Sequence, residues 1–100
     1  MKIVVSTDDI RDGVPEDSYH CPIALAIRRV LPRPERPEQV ACVLDNRVAI
    51  AGLANDVPLP ENARKFIVRF DTPDSRSDCC DFEFELPISF DDDGNLVSDL

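Results

Sequence analysis

Cys21 stands directly before Pro22, and the chain's single histidine, His20, lies immediately ahead of it in "SYHCPIALAIRR". A thiol at a helix start suits nucleophilic chemistry, because N-terminal amide groups favour the thiolate. His20 would have to serve as its base. Successive residues of an extended cap point apart, and no second histidine exists, so a packed thiol is the stronger reading of Cys21. Cys42, Cys79 and Cys80 complete the set. The adjacent Cys79-Cys80 pair is a poor basis for a disulfide framework, and the absence of any C-x2-C or H-x3-5-H spacing argues against structural zinc. No catalytic residue, metal site or cofactor is expected.

A second candidate is the closing stretch "CDFEFELPISFDDDGNLVSDL". Its "DDDGN" invites a calcium loop, but with Gly94 at the sixth position the first ligand would be Ser89 and the twelfth Leu100, so the motif fails. The alternation before it is more informative. Phe82, Phe84 and Leu86 share one face of a strand, and Asp81, Glu83 and Glu85 share the other, with carboxylates about 6.6 to 6.8 Å apart along that face. Asp91, Asp92 and Asp93 extend the acidic surface. An array of this spacing is one that arginine and lysine side chains built for phosphates can accept.

Charge is distributed unevenly. The chain has 20 acidic and 11 basic residues, a net charge of −9. Residues 1 to 70 carry ten of each sign, so the whole excess lies in residues 71 to 100, where ten acids face Arg76 alone. Two readings stay open. Charges on an exposed strand protect a sheet edge from aggregation without any partner, and a field of one sign also steers and holds a basic macromolecule. Arg28, Arg29, Arg33 and Arg36 form a local basic cluster, but Glu35 and Glu38 interrupt it and no aromatic interleaves it. Direct nucleic-acid binding is therefore not expected of a chain with a pI near 4.4.

The elements that must position these groups follow from periodicity and caps. "KIVVS" is a short first strand, and "STDDIRDG" a helical turn capped by Ser6 or Thr7 and stopped at Gly13. Pro22 at the first helical position opens a helix to Leu31, with Ile23, Ile27, Val30 and Leu31 forming its buried stripe. "PRPERPE" is a stiff connector. "QVACVLD" and "RVAIAG" flank Asp45-Asn46 as a two-residue hairpin in which Val43 faces Val48 and Ala41 faces Ile50, and Asn46 is suited to positive φ. Residues 60 to 70 fit either period, and Pro60, Glu61 and Arg69 favour helix.

One hundred residues with 43% hydrophobic content make a single domain, acidic from about residue 71. The expected class is α+β, a small antiparallel sheet with two helices on one face in β-α-β-β-α-β order, a split βαβ or ferredoxin-like sandwich. No stretch approaches the roughly 18 apolar residues of a membrane span, and "MKIVVSTDD" lacks a signal peptide's apolar region, so no membrane association and a cytoplasmic location are expected.

"CPIALAIRRVL", together with the "DIRDG" turn, resembles small bacteriophage and prophage proteins that carry a C-P-[IV]-A-x-A-[IL]-R-R-like helix. The likeness spans residues 8 to 31 and implies no catalytic residue. In size and acidity the chain is also similar to the anti-CRISPR proteins of phages, which bind nucleic-acid-handling surfaces of defence complexes. The expectation is thus a non-enzymatic acidic inhibitor whose partner is a basic protein or ribonucleoprotein complex of the host, a CRISPR effector first among them. The alternatives are a binder of a small ligand or nucleotide signal, held at the helix start by Cys21 and Pro22, and a cysteine-dependent enzyme.

Overall fold

Two terminal segments of the chain meet in the computed structural model, which describes residues 1–31 and 39–100. Strand β1 (Lys2–Val5) pairs antiparallel with β5 (Phe82–Glu85), with Ile3 opposite Phe84 and Val5 opposite Phe82. The alternation predicted for "CDFEFELP" is present: Phe84 and Leu86 are buried, Phe82 is partly so, and Asp81, Glu83 and Glu85 are exposed.

Between these strands the order is α1 (Thr7–Asp12), α2 (Pro22–Val30), β2 (Ala41–Val43), β3 (Arg47–Ile50), β4 (Val57–Pro58), α3 (Glu61–Asp71) and α4 (Pro73–Arg76). After β5 come β6 (Ile88–Phe90) and β7 (Leu96–Ser98). The architecture is α+β, and every strand pairing is antiparallel. The single four-stranded sheet of the sequence reading is divided among the described residues into three ladders: β1-β5, β2-β3-β4 and β6-β7.

Local chemistry explains each element. Ser6 caps α1 through a capping box: its hydroxyl accepts from the Asp9 amide at 3.2 Å, and the Asp9 carboxylate accepts from the Ser6 amide at 2.9 Å. Asp9 also pairs with Arg29, which ties α1 to the last turn of α2. Cys21 is the N-cap of α2 and Pro22 its first residue, as the sequence requires. Ile23, Ala24, Ala26 and Ile27 are buried along this helix. Val30, assigned to the stripe, is exposed, whereas Ile27 before it and Leu31 after it are buried. The connector at residues 32 to 38 lies outside the described residues.

The hairpin has the expected register, Val43 opposite Val48 and Ala41 opposite Ile50. Its turn is closed by the Leu44 amide donating to the Arg47 carbonyl at 2.8 Å. Asn46 does not adopt positive φ, contrary to expectation; among the described residues Glu16, at φ 59°, is the non-glycine residue that does. Helix α3 settles the ambiguous segment as helical over Glu61–Asp71, with Pro60 one position earlier than expected as its extended N-cap, and buries Ala63, Phe66 and Phe70. Its terminal carbonyls are satisfied by the turn that follows: Thr72 Oγ1 donates to Val68 at 2.7 Å, Ser75 Oγ to Arg69 at 2.9 Å and Arg76 Nε to Phe70 at 2.8 Å. That need accounts for α4, which periodicity alone does not reveal.

One cluster of buried aliphatic residues runs from Ile3 and Val5 through Ile23 and Ile27 to Val48, Val57, Leu86 and Ile88. Aromatic contacts extend it. Phe66 packs on Phe82 with ring centroids 4.7 Å apart, and Phe82 stacks on Phe84 at 5.8 Å, fixing the acidic strand to α3. No helix among the described residues is long and apolar enough to cross a membrane.

Candidate functional site

The acidic strand is positioned from both sides. Its phenylalanine face is anchored on α3, and Asn62 Nδ2 donates to the Glu83 carbonyl at 3.0 Å, so the outward carboxylates project from a fixed backbone. They are not equivalent. Glu83 pairs with Lys2 at 3.0 Å and Glu85 with the N-terminal ammonium at 3.4 Å, both across the β1-β5 ladder. Both glutamates remain largely exposed, so each pair is worth at most about 1 kcal/mol and either partner can be exchanged for an external cation. Asp81 is exposed and without an ionic partner among the described residues.

Asp91, Asp92 and Asp93 sit in the turn joining β6 to β7, a hairpin the sequence reading did not contain. Asp91 organises that turn: its Oδ1 accepts from the amides of Asp93 at 2.9 Å and Asn95 at 2.8 Å, an Asx-type arrangement completed by Gly94 at φ 81°. One oxygen of its exposed carboxylate is thereby committed to the turn. Asp92 and Asp93 are exposed, with side chains that have no partner among the described residues. Leu86 and Pro87 join β5 to β6, and the terminal ammonium of Met1 donates to both the Leu86 carbonyl at 2.7 Å and the Ile88 carbonyl at 3.1 Å. The chain's first residue thereby binds the acidic strand to the acidic hairpin.

The thiol candidate reads differently once its neighbours are in place. Cys21 makes no side-chain capping bond, and burial pushes its pKa from an ordinary 9.0 up to about 11. The Ala24 and Ile23 amides pull the other way, and the charges of Asp71 and Asp17 add to the rise. His20 gives it no help. Its Nδ1 lies 3.0 Å from Asp17 Oδ1, a contact that holds the Asp17 carboxyl below its usual range. At neutral pH Cys21 is a protonated, packed thiol, and carboxylates beside the α2 N-terminus oppose the anion that a nucleotide reading would place there.

Cys42 is half-buried and its thiol meets the Tyr19 hydroxyl, while Cys79 is half-buried and Cys80 exposed; all four cysteines are free thiols. Among the described residues no group of three or more His, Cys, Asp or Glu side chains is placed to share a metal ion. Comparison with protein-family models, with curated proteins and with solved structures finds no match to this chain.

The contrast between buried and exposed thiols sets an expected labelling order. Under native conditions near pH 8, Cys80 should be alkylated first and Cys21 last, because Cys21 is half-buried and its raised pKa keeps it protonated. Peptide mass mapping over a time course measures this, and rapid modification of Cys21 would revive the nucleophile.

Proposed function

We propose that this chain is a non-enzymatic acidic binding protein that occupies a basic, nucleic-acid-handling surface of another macromolecule. The observation that carries the reading is the coincidence of the charge excess with a fixed strand: residues 71 to 100 hold the whole net charge of −9, and β5 presents Glu83 and Glu85, with Asp81 just before it, from a backbone locked to α3. A groove lined with arginine and lysine for phosphates meets here carboxylates at regular spacing, which favours fast, salt-sensitive association. Asp92 and Asp93 lengthen the acidic surface beyond the strand. The resemblance of "CPIALAIRR" to phage and prophage proteins makes a CRISPR effector of the host the partner to test first, with the chain acting as its inhibitor in the host cytoplasm.

The test is competition. A purified RNA-guided effector holding a fluorescent DNA duplex should release it as this chain is added, and release should weaken steeply with salt. Asp81→Asn, Glu83→Gln and Glu85→Gln together should raise the concentration required about tenfold, each exposed contact contributing roughly 0.2 to 1 kcal/mol. The matched control is Asp8→Asn, Asp12→Asn and Glu61→Gln, three exposed acids of the charge-balanced part. Asp9 is unsuitable as a control because it completes the α1 capping box. Equal losses in the two triple variants would show bulk charge at work and defeat the strand as the binding face.

A further inference from the structure

Between the turn that follows α4 and the start of β5 the chain carries two free thiols in succession, Cys79 and Cys80. The segment is held at both ends: the Cys79 amide donates to the Arg76 carbonyl at 3.1 Å, and the ring of Phe82 packs on Phe66. Cys80 is exposed, and Cys79 is half-buried against the hydrophobic core. Neither side chain has a hydrogen-bond partner among the described residues. The other cysteines stand singly, Cys21 at the start of α2 and Cys42 beside the Tyr19 hydroxyl.

Reach and ligand count decide what such a pair can hold. The peptide joining the two residues is trans, so their Cα atoms are about 3.8 Å apart, whereas disulfides ordinarily need about 4.4 to 6.8 Å. A direct S–S bond here would be strained and easily reduced. Structural zinc requires four ligands, and among the described residues no third His, Cys, Asp or Glu joins the pair. A trivalent arsenic centre that carries its own carbon substituent requires two sulfurs only. Standing between them, it lengthens the bridge by one large, soft atom and removes the strain of the direct bond.

We propose that Cys79 and Cys80 form a dithiol site for trivalent organic arsenicals, the arsenic bridging the two Sγ atoms. The reaction is an exchange with no change of oxidation state. Two As–O bonds of R–As(OH)2 break, two As–S bonds form, and each thiol proton leaves with a hydroxyl as water. Burial raises the Cys79 pKa while the charge of Arg69 opposes the rise, and the neutral thiol is competent because its proton is consumed in the water released. Ligation also has a structural consequence. With Cys79 against the core and Cys80 in solvent, closing the ring brings one thiol round to the other's side and turns the backbone immediately ahead of Asp81.

The probe is phenylarsine oxide added to the full, reduced chain under native conditions. Intact mass should show one adduct per chain, with one water lost for each oxide gained. The adduct should survive a large excess of the monothiol 2-mercaptoethanol and be released by 1,2-ethanedithiol, as a two-sulfur chelate requires. Amide chemical shifts should move at Asp78, Asp81 and Phe82 and stay in place along α2. Cys80→Ser, at an exposed position that should leave the fold intact, should abolish the monothiol-resistant adduct, and Cys79→Ser should do the same. Cys21→Ser with Cys42→Ser should retain it. A resistant adduct that persists in Cys80→Ser, or that disappears with Cys21 and Cys42, would overturn the site. An adduct that forms only in urea would overturn it as well, since the pair would then be closed to the ligand in the folded chain.

Discussion

Raising the pH from about 8 to about 10.5 should remove about 2 kcal/mol of stability, and most of that loss should vanish in Cys21→Ala. The Cys21 thiol has an ordinary pKa of 9.0 and is pushed up to about 11 by burial in the folded chain. A group whose folded pKa is raised contributes stability that is complete below its unfolded value and is lost as pH climbs through the folded one. The window therefore opens near pH 9 and closes above about 11, with a full span of about 3 kcal/mol at 1.36 kcal/mol per unit. Tyr19 and Cys79 are shifted in the same direction, Tyr19 by its Cys42 neighbour and Cys79 by burial, so some alkaline slope should persist in the variant. Urea unfolding under reducing conditions at the two pH values measures the difference. At neutral pH, Cys21→Ala should cost only about 1 kcal/mol, because what it removes is packing of one small side chain. An alkaline loss equal in wild type and variant would mean that the thiol is hydrated in the folded state.

The helix that carries Cys21 was legible because its signals are local. Cys21 before Pro22 fixes the cap, the Ile23 and Ile27 spacing fixes the buried side, and both are present in the fold. The Val43 to Val48 register and the alternation of β5 were legible for the same reason, since a two-residue turn and a period of two leave one arrangement. What failed to show in sequence was decided at a distance. Strands β4, β6 and β7 have two or three residues each, too short for a period, and in the last hairpin Ile88 is buried but Phe90 and Val97 are exposed, so no continuous apolar face announces it. The division into three ladders depends on which edges meet, a non-local choice that alternation does not encode.

The site followed the same rule. That Asp81, Glu83 and Glu85 would point outward was readable from Phe82 and Phe84. That Lys2 and the terminal ammonium would meet two of them was not, because it requires β1 to lie against β5. Nor was the bond from the Glu16 amide to Asp71 readable, since it joins positions 55 residues apart. The one trace was the loop "GVPEDSYH", whose length between α1 and α2 gives Glu16 room to adopt its positive φ.

Gly13→Ala should destabilise the protein by about 1 to 3 kcal/mol, although the backbone there suits any residue. Gly13 has φ −69° and ψ 150°, an ordinary extended conformation, so the requirement is one of space. A Cβ at this position would stand 2.5 Å from Pro22 Cδ, 2.6 Å from Pro22 Cγ and 2.8 Å from the Asp9 carbonyl oxygen. None of the three can swing aside. The proline ring is rigid and fully buried at the start of α2, and the Asp9 carbonyl is held by the Gly13 amide at 2.8 Å. Over-packing of this kind forces backbone movement at the cost stated, and at this chain length each kcal/mol lowers Tm by roughly 4 to 8 °C. The cause can be isolated by a double-mutant cycle. Pro22→Ala removes both ring atoms, so Gly13→Ala should cost less in that background by about 0.5 kcal/mol or more, the Asp9 contact keeping the remainder. Additive costs, or an unchanged Tm in the single variant, would refute the steric account.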